Sequence, residues 1–163
     1  MNCKRSSALF ALLSLAVFSL AGCNRHNYPA MNENTIDKAK VEAGVRAILD
    51  EQVQAWNKGD VDGFMKGYAN SAETTFVSGD TITRGWQTVL DRYKKSYDSR
   101  EKMGTLAFSE LEIKSLDNDT AMVNGRWKLT RAADTPNGRF TLIFRRISDG
   151  WRIIHDHTSS ADS

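Results

Sequence analysis

Residues 105–158 read as four long strands joined by short turns, and this pattern most limits what the chain can fold into. Along 121–130, Ala121, Val123, Gly125, Trp127 and Leu129 alternate with Met122, Asn124, Arg126 and Lys128. Along 139–147, Phe140, Leu142 and Phe144 alternate with Thr141, Ile143 and Arg145. Successive strand side chains point to opposite faces, so each run has one apolar face and one mixed face. Asp117-Asn118-Asp119, the loop 133–138 and Ser148-Asp149-Gly150 carry turn residues. Connections this short join antiparallel neighbours. The expectation is an antiparallel sheet with one buried face, and such a face needs a cover.

The first half supplies that cover. Val41, Val45, Ile48, Leu49, Val53 and Trp56 recur at three- and four-residue steps, which predicts a helix over 36–58. Thr35 is placed to cap its start, and Gly59 to stop it. Asp60 then caps a short second helix carrying Phe64, Met65 and Tyr68. Gly63 and Gly67 weaken that helix, so packing has to hold it. Residues 73–78 and 81–84 form a hairpin about Gly79-Asp80. A third helix over 86–97 puts Trp86, Val89, Leu90, Tyr93 and Tyr97 on one face. A charged connection, 99–104, leads into the strands. The fold class is α+β: three N-terminal helices, then a strongly bent antiparallel sheet.

The closing strand holds two of the chain's three histidines, in Gly150-Trp151-Arg152-Ile153-Ile154-His155-Asp156-His157-Thr158-Ser159. By simple alternation Trp151, Ile153, His155 and His157 share the core side. Arg152, Ile154, Asp156 and Thr158 share the other. A bulge after Ile154 would reverse this assignment.

Three stretches together resemble the nuclear transport factor 2-like superfamily, and within it the SnoaL-like and uncharacterised branch. They are Ala55-Trp56-Asn57-Lys58-Gly59-Asp60, Phe76-Val77-Ser78-Gly79 with Arg84-Gly85-Trp86, and the closing strand. The resemblance spans residues 36–160. It implies a cone-like α+β barrel whose sheet wraps the helices and leaves a pocket open at one end. It also implies a homodimer, since many relatives pair through the outer sheet face. The superfamily holds isomerases, cyclases, dehydratases and pure binding modules, so the fold leaves the function open.

Three uses of the pocket follow. In the first, Trp56, Tyr68, Phe76, Tyr93, Trp127 and Phe140 line a site for a small, partly apolar molecule, and His155 and His157 orient a polar group. In the second, His155 or His157 is the acid–base residue of an isomerase, lyase or dehydratase. The two rings stand roughly 7 Å apart on one strand face. Scytalone dehydratase is similar in using histidine and aspartate inside its cone. The ketosteroid isomerase pattern has no clear match, because no acidic residue falls on an inward position of the last three strands. Asp60, Asp62, Glu110 and Glu112 are the acidic candidates, and Tyr68 and Tyr93 could supply hydroxyls. In the third, the domain is a dimeric scaffold with an incidental pocket. Asp156 reads as a structural partner of Arg126 or Arg145 on the outer face. Arg84 reads either as an anchor for a ligand carboxylate at the pocket mouth or as a solvated turn residue. His-x-His lacks a third ligand at a recognisable spacing, so neither a metal nor a cofactor is expected.

The amino terminus gives an address. Lys4 and Arg5 precede an apolar run, 8–21, which is too short to span a bilayer comfortably. It ends in Leu20-Ala21-Gly22-Cys23, which resembles the lipobox of bacterial lipoprotein precursors. On that reading residues 1–22 are a cleaved signal peptide and Cys23 is lipidated. Residues 23–35 form a tether carrying Pro29 and His26, and 36–160 form the domain. Two or more acyl chains anchor stably where one does not. Cys3 leaves with the signal, so Cys23 is the single mature cysteine and no internal disulfide is possible. Asn24 after the cysteine favours the outer membrane. Losing Lys4 and Arg5 from 22 basic residues leaves as many as the 20 acidic ones. A neutral domain without a basic run argues against nucleic acid as a partner.

Overall fold

The first helix, α1 (Lys38–Asn57), turns Val41, Val45, Leu49, Gln52 and Trp56 inward at helical spacing. This is a computed structural model and describes residues 36–161; Cys23, His26 and Thr35 lie outside the described residues. The cap of α1 is Asp37, whose side chain accepts from the Lys40 amide at 3.1 Å. The Asp37 amide in turn donates to Asn118 Oδ1, which ties the helix start to a strand turn. Gly59 follows the helix at φ +83°, a left-handed position that suits glycine. Asp60 accepts from the Gly63 amide at 2.7 Å and opens the short α2 (Val61–Met65).

A hairpin of β1 (Thr75–Ser78) and β2 (Thr81–Arg84) comes next, and then α3 (Trp86–Ser96). The charged connection contains one more helical turn, α4 (Arg100–Met103). Ser99 caps it by accepting from the Lys102 amide. The described residues therefore hold four helices rather than three, because serine and a following acidic residue suffice to start a turn.

The meander is β3 (Thr105–Ser115), β4 (Thr120–Thr130), β5 (Asn137–Ile147) and β6 (Gly150–Thr158), each antiparallel to the next. The full sheet has the order β2-β1-β6-β5-β4-β3. It curls without closing. One pairing departs from the antiparallel expectation: β1 lies parallel to β6. The chain runs through β2, α3, α4 and the strands β3, β4 and β5 to travel from one to the other, and a parallel pair requires such a long crossover.

Two irregularities bend the sheet. In β3, two residues oppose one between the pairs Ser109–Arg126 and Glu112–Asn124, and Glu110 sits there at φ +51°. Arg139 and Arg126 hold the Glu110 carboxylate at 2.9 and 3.2 Å on the outer face. In β6, His155 pairs with Ile143 and Ile153 with Phe144, so Ile154 is an inserted residue with no partner on β5. Bulges of this kind add twist and re-aim the side chains beyond them.

The core lies between α1 and the concave sheet face. Val45, Leu49, Val123, Phe144 and Ile153 are essentially inaccessible there. Asn57 pins α1 to the edge strand β3 by bonding both the amide and the carbonyl of Leu106, at 2.8 and 3.1 Å. Trp56 Nε1 donates to the Met103 carbonyl and Arg100 to the Trp56 carbonyl, which holds the end of α1 against α4.

Candidate functional site

The concave face is not completely filled. A cavity of about 190 Å³ remains between α1, α2, α3 and the sheet. Trp56, Phe64, Tyr68, Phe76, Tyr93, Tyr97, Phe108, Trp127 and Phe140 wall it with rings. The rings hold one another edge-on or tilted, Trp56 against Phe64, Tyr93 and Tyr97, and Phe76 against Tyr93. Such geometries are the favoured ones for aromatic pairs and set rigid walls. Exposed Ser96 and Ser160 mark the open end, and buried Gln52, Tyr68 and Asp156 the closed one.

The polar centre of the cavity is Asp156, only 4% exposed. Tyr68 donates its hydroxyl to Asp156 Oδ2 at 2.7 Å, and Thr158 donates to Oδ1 at 2.7 Å. Tyr68 reaches this point because the segment after α2 pairs with β6. Ile153 donates to the Gly67 carbonyl and accepts from the Ala69 amide, at 2.8 and 2.9 Å. Burial raises the Asp156 carboxyl to about 6, against the hydrogen bonds of Tyr68 and Thr158 and the nearby His157, which all favour the charged form. Burial also pushes the Tyr68 and Tyr93 hydroxyls up, and the Asp156 charge pushes them further. Both phenols therefore stay protonated, while Asp156 exchanges its proton near neutrality.

Six of the expected wall residues line the cavity: Trp56, Tyr68, Phe76, Tyr93, Trp127 and Phe140. The expected inward histidines do not. His155 faces the outer side, 2.6 Å from the Thr75 hydroxyl through Nδ1, and His157 is exposed. The inserted Ile154 reverses the alternation, so Asp156 and Thr158 take the inward positions. Asp156 consequently pairs with neither Arg126 nor Arg145. Arg126 binds Glu110 and Asn137 instead. An acidic residue does occupy an inward strand position, and the acidic candidates Asp60, Asp62, Glu110 and Glu112 are absent from the cavity wall. Arg84 is exposed and outside the cavity. The cation that lines it is Arg92 on α3, the residue before Tyr93. No sequence signal singled out Arg92, which is one of several charges along an amphipathic helix. Among the described residues no group of three His, Cys, Asp or Glu side chains is placed to hold a metal ion.

The comparisons with known proteins agree with this geometry. Residues 45–163 match the SnoaL-like domain family. The chain belongs to the SnoaL-like family. A solved NTF-2-like protein from Shewanella oneidensis MR-1 is 42% identical to this SnoaL-like chain. The match covers 72% of this chain and 98% of that one, with a TM-score of 0.70. A nuclear transport factor 2-like superfamily protein from Salmonella enterica serovar Typhimurium matches at 18% identity, 77% and 94% coverage and a TM-score of 0.61. A ketosteroid isomerase-like protein from Erwinia carotovora matches at 17%, 74% and 96%, with a TM-score of 0.60. The last two share the fold. No curated protein matches the chain. The SnoaL-like fold is thus an α+β cone with an open cavity on its concave side, in this chain centred on Tyr68 and Asp156.

Proposed function

We propose that this protein is an envelope-anchored lipoprotein whose cone-shaped domain binds a small, partly apolar molecule. The observation that carries the reading is the ring-walled cavity of about 190 Å³ with one buried polar couple, Tyr68 and Asp156. Apolar walls with a few fixed polar groups are the usual make-up of a small-molecule site. The volume lies below the roughly 300–1,000 Å³ of drug-sized sites, so the occupant is compact. The address rests on Lys4, Arg5, the apolar run and Leu20-Ala21-Gly22-Cys23. These point to a lipid on Cys23 and to the periplasmic face of the outer membrane. The outer sheet face, with Met122, Ile143 and Ile154 half-buried, suits a homodimer.

Native mass spectrometry of the full chain, purified from its own envelope in mild detergent, tests this. A bound mass that is retained through gentle desolvation and lost in Trp127→Ala supports the reading. An empty protein from every preparation sinks it.

A catalytic reading draws on the same couple: Asp156 lines the cavity with Tyr68 bonded to it, and burial raises its carboxyl to about 6. A buried acid poised near neutrality is suited to move a proton on a bound carbon acid, with the Tyr68 hydroxyl beside it as donor. On this reading an isomerase, lyase or dehydratase step runs through Asp156 and not through His155 or His157. Turnover lost in Asp156→Asn with ligand retention intact would separate the enzyme from the binder.

A further inference from the structure

Two side chains of opposite charge line the cavity. One is Asp156, whose charge is influenced by Tyr68, Thr158 and His157 but by no arginine. The other is Arg92, which lines the same cavity from α3. Arg92 Nη1 donates to the Thr83 hydroxyl at 2.8 Å, and its guanidinium carbon lies 4.9 Å from the centre of the Phe76 ring. Stacking on Phe76 and one bond to Thr83 fix the orientation of the group without neutralising it. Among the described residues no carboxylate lies within ion-pair distance of Arg92. Asp91, its neighbour in sequence, accepts from Gln87, and Asp62 of α2 pairs with Lys94 of α3. A guanidinium has five N–H donors, and Thr83 uses one of them. A half-buried cation beside aromatic walls, held by neutral partners alone, lacks its counter-charge.

We propose that the molecule held in the cavity is a compact aryl or alicyclic carboxylic acid whose carboxylate pairs with Arg92. This rests on the pocket-binding reading and adds the chemical class of the ligand. A planar fork matches a planar carboxylate with two parallel hydrogen bonds, which favours that anion over a more highly charged one at a site with a single arginine. Ser78 at the end of β1 and Ser96 at the end of α3 line the cavity as well and add neutral hydroxyls. The body of the ligand then lies against Phe76, Tyr93 and Phe140, and its far end meets Asp156. An anion is excluded from that far end by the Asp156 carboxylate, so the ligand enters in one orientation. The role expected of Arg84 thus falls to Arg92, eight residues on.

The test is isothermal titration of the full chain in dilute mild detergent at pH 7.5, with a protein-free blank, using naphthoate and its neutral amide, naphthamide. Naphthoate is expected to bind at least about tenfold more tightly, the size of one charge-assisted pair. Arg92→Gln should reduce naphthoate to the level of naphthamide and leave naphthamide unchanged, and Arg92→Lys should keep part of the preference. Arg84→Gln, outside the cavity, should behave as the wild type. Equal binding of the two probes by the wild type overturns the carboxylate while leaving the pocket. A preference that persists in Arg92→Gln overturns the role of Arg92, and so does loss of both probes in a folded Arg92→Gln. Binding of neither probe to the wild type counts against both the carboxylate and the pocket.

Discussion

The Tyr68 hydroxyl and the Asp156 carboxylate, 88 residues apart in sequence, meet at 2.7 Å inside the cavity. The contact joins the segment after α2 to the C-terminal part of β6 and puts a titrating acid against a protonated donor. A carboxylate buried this deeply pays for desolvation, and two hydroxyls offset only part of the cost. The remainder appears as a raised carboxyl, and a raised carboxyl has consequences for stability.

Asp156 goes from an ordinary value of 3.8 to about 6 on folding. The folded state holds this proton more tightly than the unfolded state, so the favourable contribution is complete below about pH 4 and fades as pH rises through 6. Two units correspond to about 3 kcal/mol. Asp156→Asn should remove this dependence. Urea unfolding from pH 3 to 7 should show the wild type losing about 3 kcal/mol relative to the variant over that range. Tyr68→Phe removes a donor that favours the ionised form, so a carbon-detected titration should find Asp156 higher than in the wild type. Parallel pH profiles for wild type and Asp156→Asn would contradict the burial of a titrating Asp156.

His157 is exposed and His155 faces away from the cavity toward Thr75. His157→Ala should change stability by less than about 0.5 kcal/mol, and His155→Ala by about 1 kcal/mol through loss of one hydrogen bond. Neither should alter retention of the bound mass in native mass spectrometry. Loss of that mass in either variant would put the histidines back in the site.

Gly125 on β4 lies directly under the Phe140 ring, and a methyl group there would collide with that ring and with Leu111. Gly125→Ala should push Phe140 into the cavity at a cost of about 1–3 kcal/mol. The domain should still fold, with wild-type far-ultraviolet dichroism, and should bind its ligand more weakly. Unchanged affinity in a folded Gly125→Ala would mean that the ligand does not occupy the space beside Phe140.

On the proposed lipoprotein reading, in which Cys23 carries the lipid, Cys23→Ser should abolish incorporation of labelled palmitate and release the protein from the membrane fraction. Labelling that persists in the variant would refute the lipoprotein reading of residues 20–23.

Much of the architecture was legible because it is written in local periodicity. The apolar steps of α1, the Gly59 stop, the Asp60 cap and the alternation of β4 and β5 all lie within a few residues of their effects. The wall of the cavity was legible for the same reason, since Trp56, Tyr93, Trp127 and Phe140 fall on the inward faces of α1, α3, β4 and β5. The parallel pairing of β1 with β6 was not, because it depends on a crossover that no local pattern encodes. Neither was the turn of α4, whose four residues are too few to show a period.

By itself the sequence determined the α+β order of elements, the inward aromatic residues and the lipobox-like stretch at the amino terminus. Tertiary structure decided the chemistry of the site. One inserted residue, Ile154, exchanges the faces of everything after it, because side-chain direction along a strand has a period of two. That insertion turned His155 and His157 out and Asp156 in, where burial raises its carboxyl. The choice of Arg92 over Arg84 is equally a matter of tertiary packing. Both are arginines at similar distances along the chain, and only the packing of α3 against Phe76 brings one of them to the cavity.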